Sequence, residues 1–357
     1  MRSITDFLVD AGTTTCAMHS LCSNVTLLTA HSDYANELAS IAVASHASYA
    51  ARHGYETAVR TEPAFHNRGG GIQNMGMSKF VWVRQLFAAG VPCVLWMDAD
   101  AIITNPLLSV AAMLQKATVA HAGRRRASLF FAGDTMIINS GVMLWRNTPW
   151  ARSTLETLVE IFPQGFGIGA DNGALAILLG GCTAPSAEER RAGESAQAGR
   201  ACLAGPCTKA GSPPFVPRPS PMWAGCHCER REEWRRCYKR ADQGYTNATL
   251  QRLIVTGDAA ALRATVATEL LPHLALLPKR AFNSYTTESK SCANLGRGGA
   301  VRSCLWAPCD FSLHLAGITP PAKKFRVLQA ALREPFKFAG AEAVPGWHDE
   351  LARTCTR

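Results

Sequence analysis

Val91-Pro92-Cys93-Val94-Leu95-Trp96-Met97-Asp98-Ala99-Asp100-Ala101-Ile102-Ile103-Thr104-Asn105-Pro106 decides how this chain is read. Six of the seven residues from Val91 to Met97 are apolar and none is charged, the pattern of a strand buried on both faces of a helix-covered sheet. It ends in two carboxylates. Asp98 and Asp100 stand where the strand gives way to a loop closed by Asn105-Pro106, so both can turn into one crevice. Ligands of open α/β sheets bind at the carboxyl ends of strands. Paired carboxylates stay ionised most easily with a cation between them, and oxygen ligands suit Mg²⁺ or Mn²⁺ with positions left open for phosphate. A metal and diphosphate site is therefore the first expectation.

Upstream, Val25-Thr26-Leu27-Leu28-Thr29-Ala30 reads as a first strand. Ser32-Asp33 then caps a helix running to Arg52-His53, with Tyr34, Leu38, Ile41, Ala42, Ser45 and Tyr49 near one face and Gly54 as its stop. Its Tyr and His residues read as packing or surface groups. Arg68-Gly69-Gly70-Gly71 lacks the spacing of a phosphate-cradling loop and is expected to be a flexible connection. A helix from Met77 to Ala89 follows, with Lys79 in its first turn and Gly90 ending it.

Downstream, a short helix is expected over Leu107 to Lys116 and a strand over Ala117 to His121, then a basic turn at Arg124-Arg125-Arg126. Met136 to Arg146 reads as a strand interrupted by Asn139-Ser140-Gly141, where glycine suggests a bulge or a close approach of backbone to ligand. A helix follows over Pro149 to Phe162, and Ala170-Asp171-Asn172-Gly173 opens another, with Asp171 as its cap if nothing else. Helical character is expected again around Asp258 to Leu271. A strand then covers Leu274 to Pro278, Asp310 to Gly317 holds a short strand with a lone His314, and Lys323 to Arg333 forms a last basic helix.

Between Thr183 and Gln243 periodicity disappears and prolines, cysteines and arginines accumulate, as in an insertion. Its spacings C-x4-C, C-x-C and C-x8-C match no zinc array, so disulfides are preferred there. The chain has thirteen cysteines and two paper acceptors for N-glycosylation, Asn24-Val25-Thr26 and Asn247-Ala248-Thr249, which together point to an oxidising secretory compartment. The odd count leaves a thiol over, and Cys93, inside the buried strand, is the expected inert one. No apolar run approaches the roughly 18 residues of a membrane span, and the amino terminus has no basic region followed by an apolar core. Either an anchor lies outside this sequence or the secretory reading of the cysteines and glycosylation acceptors is wrong.

The formal charge of +10 favours anionic partners. It is clumped, however, with 11 basic against 6 acidic residues between Thr183 and Arg240, and no nucleic-acid-binding signature accompanies it. No nucleic-acid partner is expected. At 47% hydrophobic and 18% charged residues, the composition is that of a globular chain.

Five pieces in order resemble glycosyltransferase family 34, the galactosyl- and xylosyltransferases. They are Tyr49-Ala50-Ala51-Arg52-His53-Gly54-Tyr55, Trp96 to Pro106, Ile138-Asn139-Ser140-Gly141-Val142-Met143-Leu144, Asp171-Asn172-Gly173-Ala174-Leu175, and Phe282-Asn283-Ser284-Tyr285 followed by Asp310 to Gly317. The resemblance implies a GT-A fold: a mixed, mostly parallel sheet flanked by helices, here carrying the Cys/Pro-rich insertion. It implies a UDP-sugar donor, a glycan or glycoprotein acceptor, and Mn²⁺, with Mg²⁺ as the alternative, held by Asp98, Asp100 and His314. Lys79, Asp98, Asn139, Ser140 and Gly317 match donor-side positions, and Asp171 with Asn172 the catalytic pair below the sugar.

On this reading residues 1–24 are an extension, 25–182 the nucleotide-sugar-binding part, 183–243 the insertion, 244–335 the acceptor-side part and 336–357 a tail. A Golgi or secretory-lumen location with membrane association, and assembly with itself or other glycosyltransferases, follow from the same likeness.

Two departures matter. Asn172 stands where the family commonly has Gln, and Ile318-Thr319-Pro320 replaces the family's Cys-basic-Pro, removing the lysine that would bind diphosphate; Lys323 or Lys324 can substitute from the next turn. The implied chemistry is retaining transfer of a sugar, galactose or xylose favoured, from a UDP-sugar to a hydroxyl. Its rivals are a neighbouring GT-A transferase family and a catalytically weak or inactive relative acting as a partner subunit or glycan-binding module. Metal-dependent phosphohydrolysis ranks last, since no second carboxylate cluster offers a two-metal site.

Overall fold

The computed structural model of the chain describes residues 22, 24–32, 36–64, 71–116, 118–119, 127–134, 137–161, 171–172, 175, 270–286, 305–306, 310–316, 318 and 321–333. In order, these form β1 (Val25–Ala30), α1 (Asn36–His53), β2 (Glu56–Arg60), α2 (Gly71–Ala88), β3 (Cys93–Met97), β4 (Ala101–Ile103), α3 (Val110–Lys116), β5 (Thr118–Val119), β6 (Leu129–Asp134), β7 (Ile137–Arg146) and α4 (Pro149–Ile161). After a 3-10 turn come β8 (Leu274–Leu277), α5 (Lys279–Phe282), β9 (Ser284–Tyr285), β10 (Ser312–His314) and α6 (Pro321–Arg333). The expected insertion, Arg124 to Arg126, Gly317, the helical stretch near Asp258 and the remaining cysteines lie outside the described residues.

Seven strands make one sheet in the order β2-β1-β3-β7-β6-β8-β5. The pairs β1–β2, β1–β3 and β6–β8 are parallel, whereas β3–β7, β6–β7 and β5–β8 are antiparallel. Since β7 reverses and β6 reverses again, β2, β1, β3, β6 and β8 run one way, and β7 and β5 run against them. This is the mixed, mostly parallel α/β arrangement expected from the sequence.

The central strand is buried on both faces, and its alternation separates two cores. Val94 and Trp96 join Phe80, Val83 and Phe87 of α2 and Leu155 and Leu158 of α4 on one side. Cys93, Leu95 and Met97 join Tyr49 of α1 and Met113 and Leu114 of α3 on the other. Helices therefore cover both faces, which is why the strand tolerates no charge before Asp98.

Three expectations are corrected. Cys93 is not an inert thiol: it forms a disulfide with Cys22, tying the approach to β1 onto the start of β3. Helix α2 begins at Gly71 rather than Met77. Its two glycines disfavour helix locally, but buried Met75 and Met77 belong to the core, and packing overrides propensity. The stretch after Asp100 is not only loop. Ala101–Ile103 is a strand, the edge of a three-stranded sheet β4-β10-β9.

Helix α1 reaches across to hold this acidic segment. His46 Nε2 lies 2.8 Å from the carbonyl of Ala101, the Tyr49 hydroxyl donates to the carbonyl of Leu108 at 2.9 Å, and His53 Nε2 lies 2.8 Å from the carbonyl of Pro106. Ser45 Oγ accepts the N–H of Ile103. These side chains pack, as expected, but they also fix the backbone that carries Asp98 and Asp100.

Burial pushes His46 down to about 4, against the hydrogen bond to Ala101, which favours the charged ring. Protonation at Nδ1, buried and without a partner among the described residues, would bury an uncompensated charge. The unfolded chain therefore takes up this proton first as pH falls. Stability should be full above the ordinary histidine value of 6.5 and should drop by roughly 3 kcal/mol between there and about pH 4. Urea unfolding across that range should show the slope, and His46→Gln should remove its share of it.

Candidate active site

The β3–β7 ladder ends with Met97 opposite Val142, and one step on the N–H of Asp98 donates to the carbonyl of Gly141 at 2.7 Å. The N–H of Ala101 then closes back on the carbonyl of Asp98 at 3.0 Å, a tight turn that puts both carboxylates on the same end of the sheet. Opposite them, β7 departs from β6. Between the pairs Phe131–Met143 and Gly133–Ile138, β6 advances two residues and β7 five, so the polar Asn139-Ser140-Gly141 bows out of the ladder.

His314 reaches the carboxylates through strand register. Strand β10 runs antiparallel to β4 with Ser312 opposite Ile103, Leu313 opposite Ile102 and His314 opposite Ala101. The next N–H, that of Leu315, donates to the carbonyl of Asp100 at 2.9 Å. Two residues more than two hundred positions apart thereby become cross-strand neighbours. One ligand atom each from Asp98, Asp100 and His314 lies within 4.8 Å of the others.

Each acid divides its oxygens. Asp98 Oδ1 accepts from the Trp96 indole at 2.8 Å and from Lys79 Nζ at 3.1 Å, leaving Oδ2 4.0 Å from His314 Nε2. Asp100 Oδ2 takes the ammonium of Lys324, leaving Oδ1 3.2 Å from the same Nε2. Burial pushes the Asp100 carboxyl up, but attraction to Lys324 and His314 and their hydrogen bonds outweigh it and hold the acid well below the usual carboxylate range.

The imidazole tautomer follows from a chain of amides. The N–H of Gly141, a donor without ambiguity, points at Asn139 Oδ1 at 2.8 Å, which fixes that atom as oxygen. Asn283 must then present its Nδ2 to the same oxygen, at 2.9 Å, so its own Oδ1 faces His314 Nδ1 at 2.8 Å. The ring donates from Nδ1, and neutral imidazole carries its lone pair on Nε2. A lone pair 3.2 Å from a carboxylate oxygen needs positive charge between them. A proton on Nε2 or a metal ion meets that need. Two carboxylate oxygens and an imidazole nitrogen suit a divalent ion of the Mn²⁺ type, and an oxygen acceptor behind the imidazole, here Asn283 Oδ1, is the usual second support.

Gly141 has no room for a side chain. A Cβ there would stand 2.1 Å from His314 Cε1 and 2.9 Å from Asn139 Oδ1. The close approach suggested by the sequence is real, but it is to the imidazole.

Lys79 is fully buried and joins the two acidic halves of the site. It donates to Asp171 Oδ2 at 2.6 Å, to Asp98 at 3.1 Å and to the carbonyl and hydroxyl of Ser140 at 3.1 and 3.3 Å, with its ammonium 5.0 Å above the Trp96 ring. Burial disfavours its charge, but Asp171 and Asp98 reverse that, and its affinity for the proton is raised. Ser140 also donates to Asp171 Oδ2 at 2.5 Å. Asp171 is itself pushed up by burial and brought down further by Lys79, Ser140 and the N–H of Asn172. Asn172 accepts the N–H of Ser140 at 2.7 Å, so the shorter amide is pinned to β7.

The structure thus gathers Lys79, Asp98, Asp100, Asn139, Ser140, Asp171, Asn172 and His314 at one end of the sheet. Sequence reasoning missed Trp96 and Asn283. Asn283 sat within a quoted motif, Phe282 to Tyr285, whose whole purpose is now visible: Ser312 Oγ donates to the carbonyl of Phe282, Asn283 holds the imidazole, and the Tyr285 ring lies edge-on to it at 5.7 Å.

Residues 23–179 match the galactosyl transferase GMA12/MNN10 family, a stretch that takes in β1 through α4 and the Asp171-Asn172 pair. No curated protein matches the chain. Among solved structures, a glycosyltransferase involved in the glycosylation of the major capsid of PBCV-1 shares 12% identity over 42% of this chain and 73% of its own, with a TM-score of 0.34, a likeness too low to bear on the chemistry.

Two substitutions test the supports behind His314. Gly141→Ala should displace the ring and weaken the binding of any divalent ion at these three groups by about tenfold or more, with far-ultraviolet circular dichroism unchanged. Asn283→Leu removes the acceptor at Nδ1 and should cost affinity for such an ion about tenfold. Nitrogen-15 shifts of the His314 ring should then show a mixture of tautomers, a change that loss of packing alone would not produce.

Proposed function

We propose that this chain, a glycosyltransferase, moves a sugar with retention from a UDP-sugar, galactose or xylose favoured, to a hydroxyl of an acceptor glycan in a reaction that needs Mn²⁺. The observation that carries the reading is the convergence of Asp98, Asp100 and His314 beside a buried Lys79–Asp171 pair. Asp98 Oδ2, Asp100 Oδ1 and His314 Nε2 would hold the ion. When bound, it would neutralise charge on the diphosphate leaving group.

The remaining work falls to the chain's own side chains. The bowed Asn139-Ser140-Gly141 segment and the Asp171-Asn172 pair border the space where the sugar would lie, at the strand ends favoured by ligands of α/β sheets. Asp171 Oδ2 is engaged by Ser140 and Lys79, which suits an ionised acid orienting the sugar and supporting positive charge at the anomeric carbon. Retention then follows from attack on the same face. The bond from the anomeric carbon to the phosphate oxygen breaks, the bond to the acceptor oxygen forms, and the acceptor's proton passes to the departing phosphate.

The 25–182 and 244–335 segments form one catalytic unit on this reading, since β8, β9 and β10 complete the sheets begun by β1 to β7. The Cys22–Cys93 disulfide supports an oxidising, Golgi-type lumen. Among the described residues no helix is long and apolar enough to cross a membrane.

A donor panel of UDP-galactose, UDP-xylose, UDP-glucose and GDP-mannose, assayed for nucleotide release with Mn²⁺, tests the proposal. One UDP-sugar should be turned over, and Asp100→Ala or His314→Ala should lower that turnover by about a hundredfold or more. Full Mn²⁺-dependent release from either variant would overturn the metal assignment. UDP binding without turnover across the panel would favour the inactive-subunit reading instead.

A further inference from the structure

Helix α6 buries Val327 and Leu328 in a small core with Leu38 and Ala42 of α1, Ile102 of β4 and Leu313 of β10. Lys324, three and four residues earlier, lies on that same helical face. Its ammonium is thereby aimed at Asp100 Oδ2, the oxygen turned away from His314. Asp100 is shared between an imidazole and an ammonium, and it is also one of the three groups suited to a divalent ion.

An ammonium and a dication drawn to the two oxygens of one carboxylate repel each other strongly at such separation, even with the screening usual near a protein surface. Counting charges shows which should leave. Asp98, Asp100 and Asp171 contribute −3, and Lys79 and Lys324 contribute +2, leaving −1. A divalent ion added to that set would make +1; with Lys324 turned out, it would make the site neutral. The displaced lysine has a second anion to meet. Lys323 and Lys324 stand in the first turn of α6, which carries no acidic residue of its own and whose helix end is itself positive, so a lysine released from Asp100 there favours an anion such as a diphosphate.

We propose that Lys324 is an exchangeable counter-ion: it occupies Asp100 until a divalent ion takes that carboxylate, then swings to the diphosphate of the donor. This rests on the metal and donor reading above and adds an order to it, metal before nucleotide. The lysine opposes the ion on the free enzyme and assists it once the nucleotide is present.

The test uses the full chain with Mn²⁺ alone, free ion being followed by electron paramagnetic resonance, and then UDP titrated at saturating Mn²⁺. Lys324→Gln should bind Mn²⁺ about tenfold more tightly than the wild type without nucleotide, and UDP about tenfold more weakly with it, within the usual range of coupling between sites. Opposite signs in the two titrations are the signature. Mn²⁺ affinity equal to or below wild type in Lys324→Gln, or unchanged UDP affinity, would overturn the exchange. Asp100→Asn separates the two levels: if it abolishes a wild-type Mn²⁺ signal, the metal reading stands and a flat Lys324→Gln response counts against the lysine alone. If neither the wild type nor Lys324→Gln binds Mn²⁺, both readings fall together.

Discussion

Three carboxylates crowded at one end of the sheet are the constraint from which the rest of this site follows. Left alone, Asp100 and Asp171 would be driven by burial toward taking up protons, and the neighbouring acids would repel one another. Lys79 offsets Asp98 and Asp171, Lys324 and His314 offset Asp100, and Trp96 and Ser140 add donors to the oxygens that face Lys79. The buried lysine is stable as a cation only because the acids surround it, and the acids are stable only because the lysine does. Such mutual dependence makes either half costly to remove singly.

Topology supplies the imidazole that stands beside the carboxylates. The seven-stranded sheet brings Asp98 to a strand end, but no element of that sheet carries the histidine. A second, three-stranded sheet does so by pairing β10 against β4, the strand that leaves the acidic turn. His314 is then oriented from behind by Asn283 and Asn139 and from the side by the bare Cα of Gly141. Position comes from strand register, rotation from hydrogen bonds, and clearance from a missing methyl group.

The buried central strand, the first strand with its helix, and the amphipathic α4 were legible from apolar pattern alone, because each is covered by packing that demands such a pattern. Edge strand β2, half exposed, and three-residue β4, which matters for its register more than its length, left no comparable trace. In the site, the acidic pair could be read from its place at a strand end. His314, Lys79 and Asp171 could not be told from packing, surface and capping residues by local pattern, and entered through resemblance to a family. Asn283 and Trp96 stayed hidden because their role is to bond another side chain, and nothing in a linear spacing records that. Cys93 was misjudged for a related reason: burial in a strand is equally compatible with a thiol and with a disulfide whose partner lies 71 residues away.

The grip of α1 on the acidic segment has a mechanical corollary. Four side chains of one helix fasten the backbone from residue 101 to residue 108, so the wall bearing Asp98 and Asp100 has little freedom to yield. Strand β10 and helix α6 belong to that same wall, β10 by its ladder to β4 and α6 by its packing on α1 and β4, so Asp98, Asp100 and His314 keep their spacing as one rigid block.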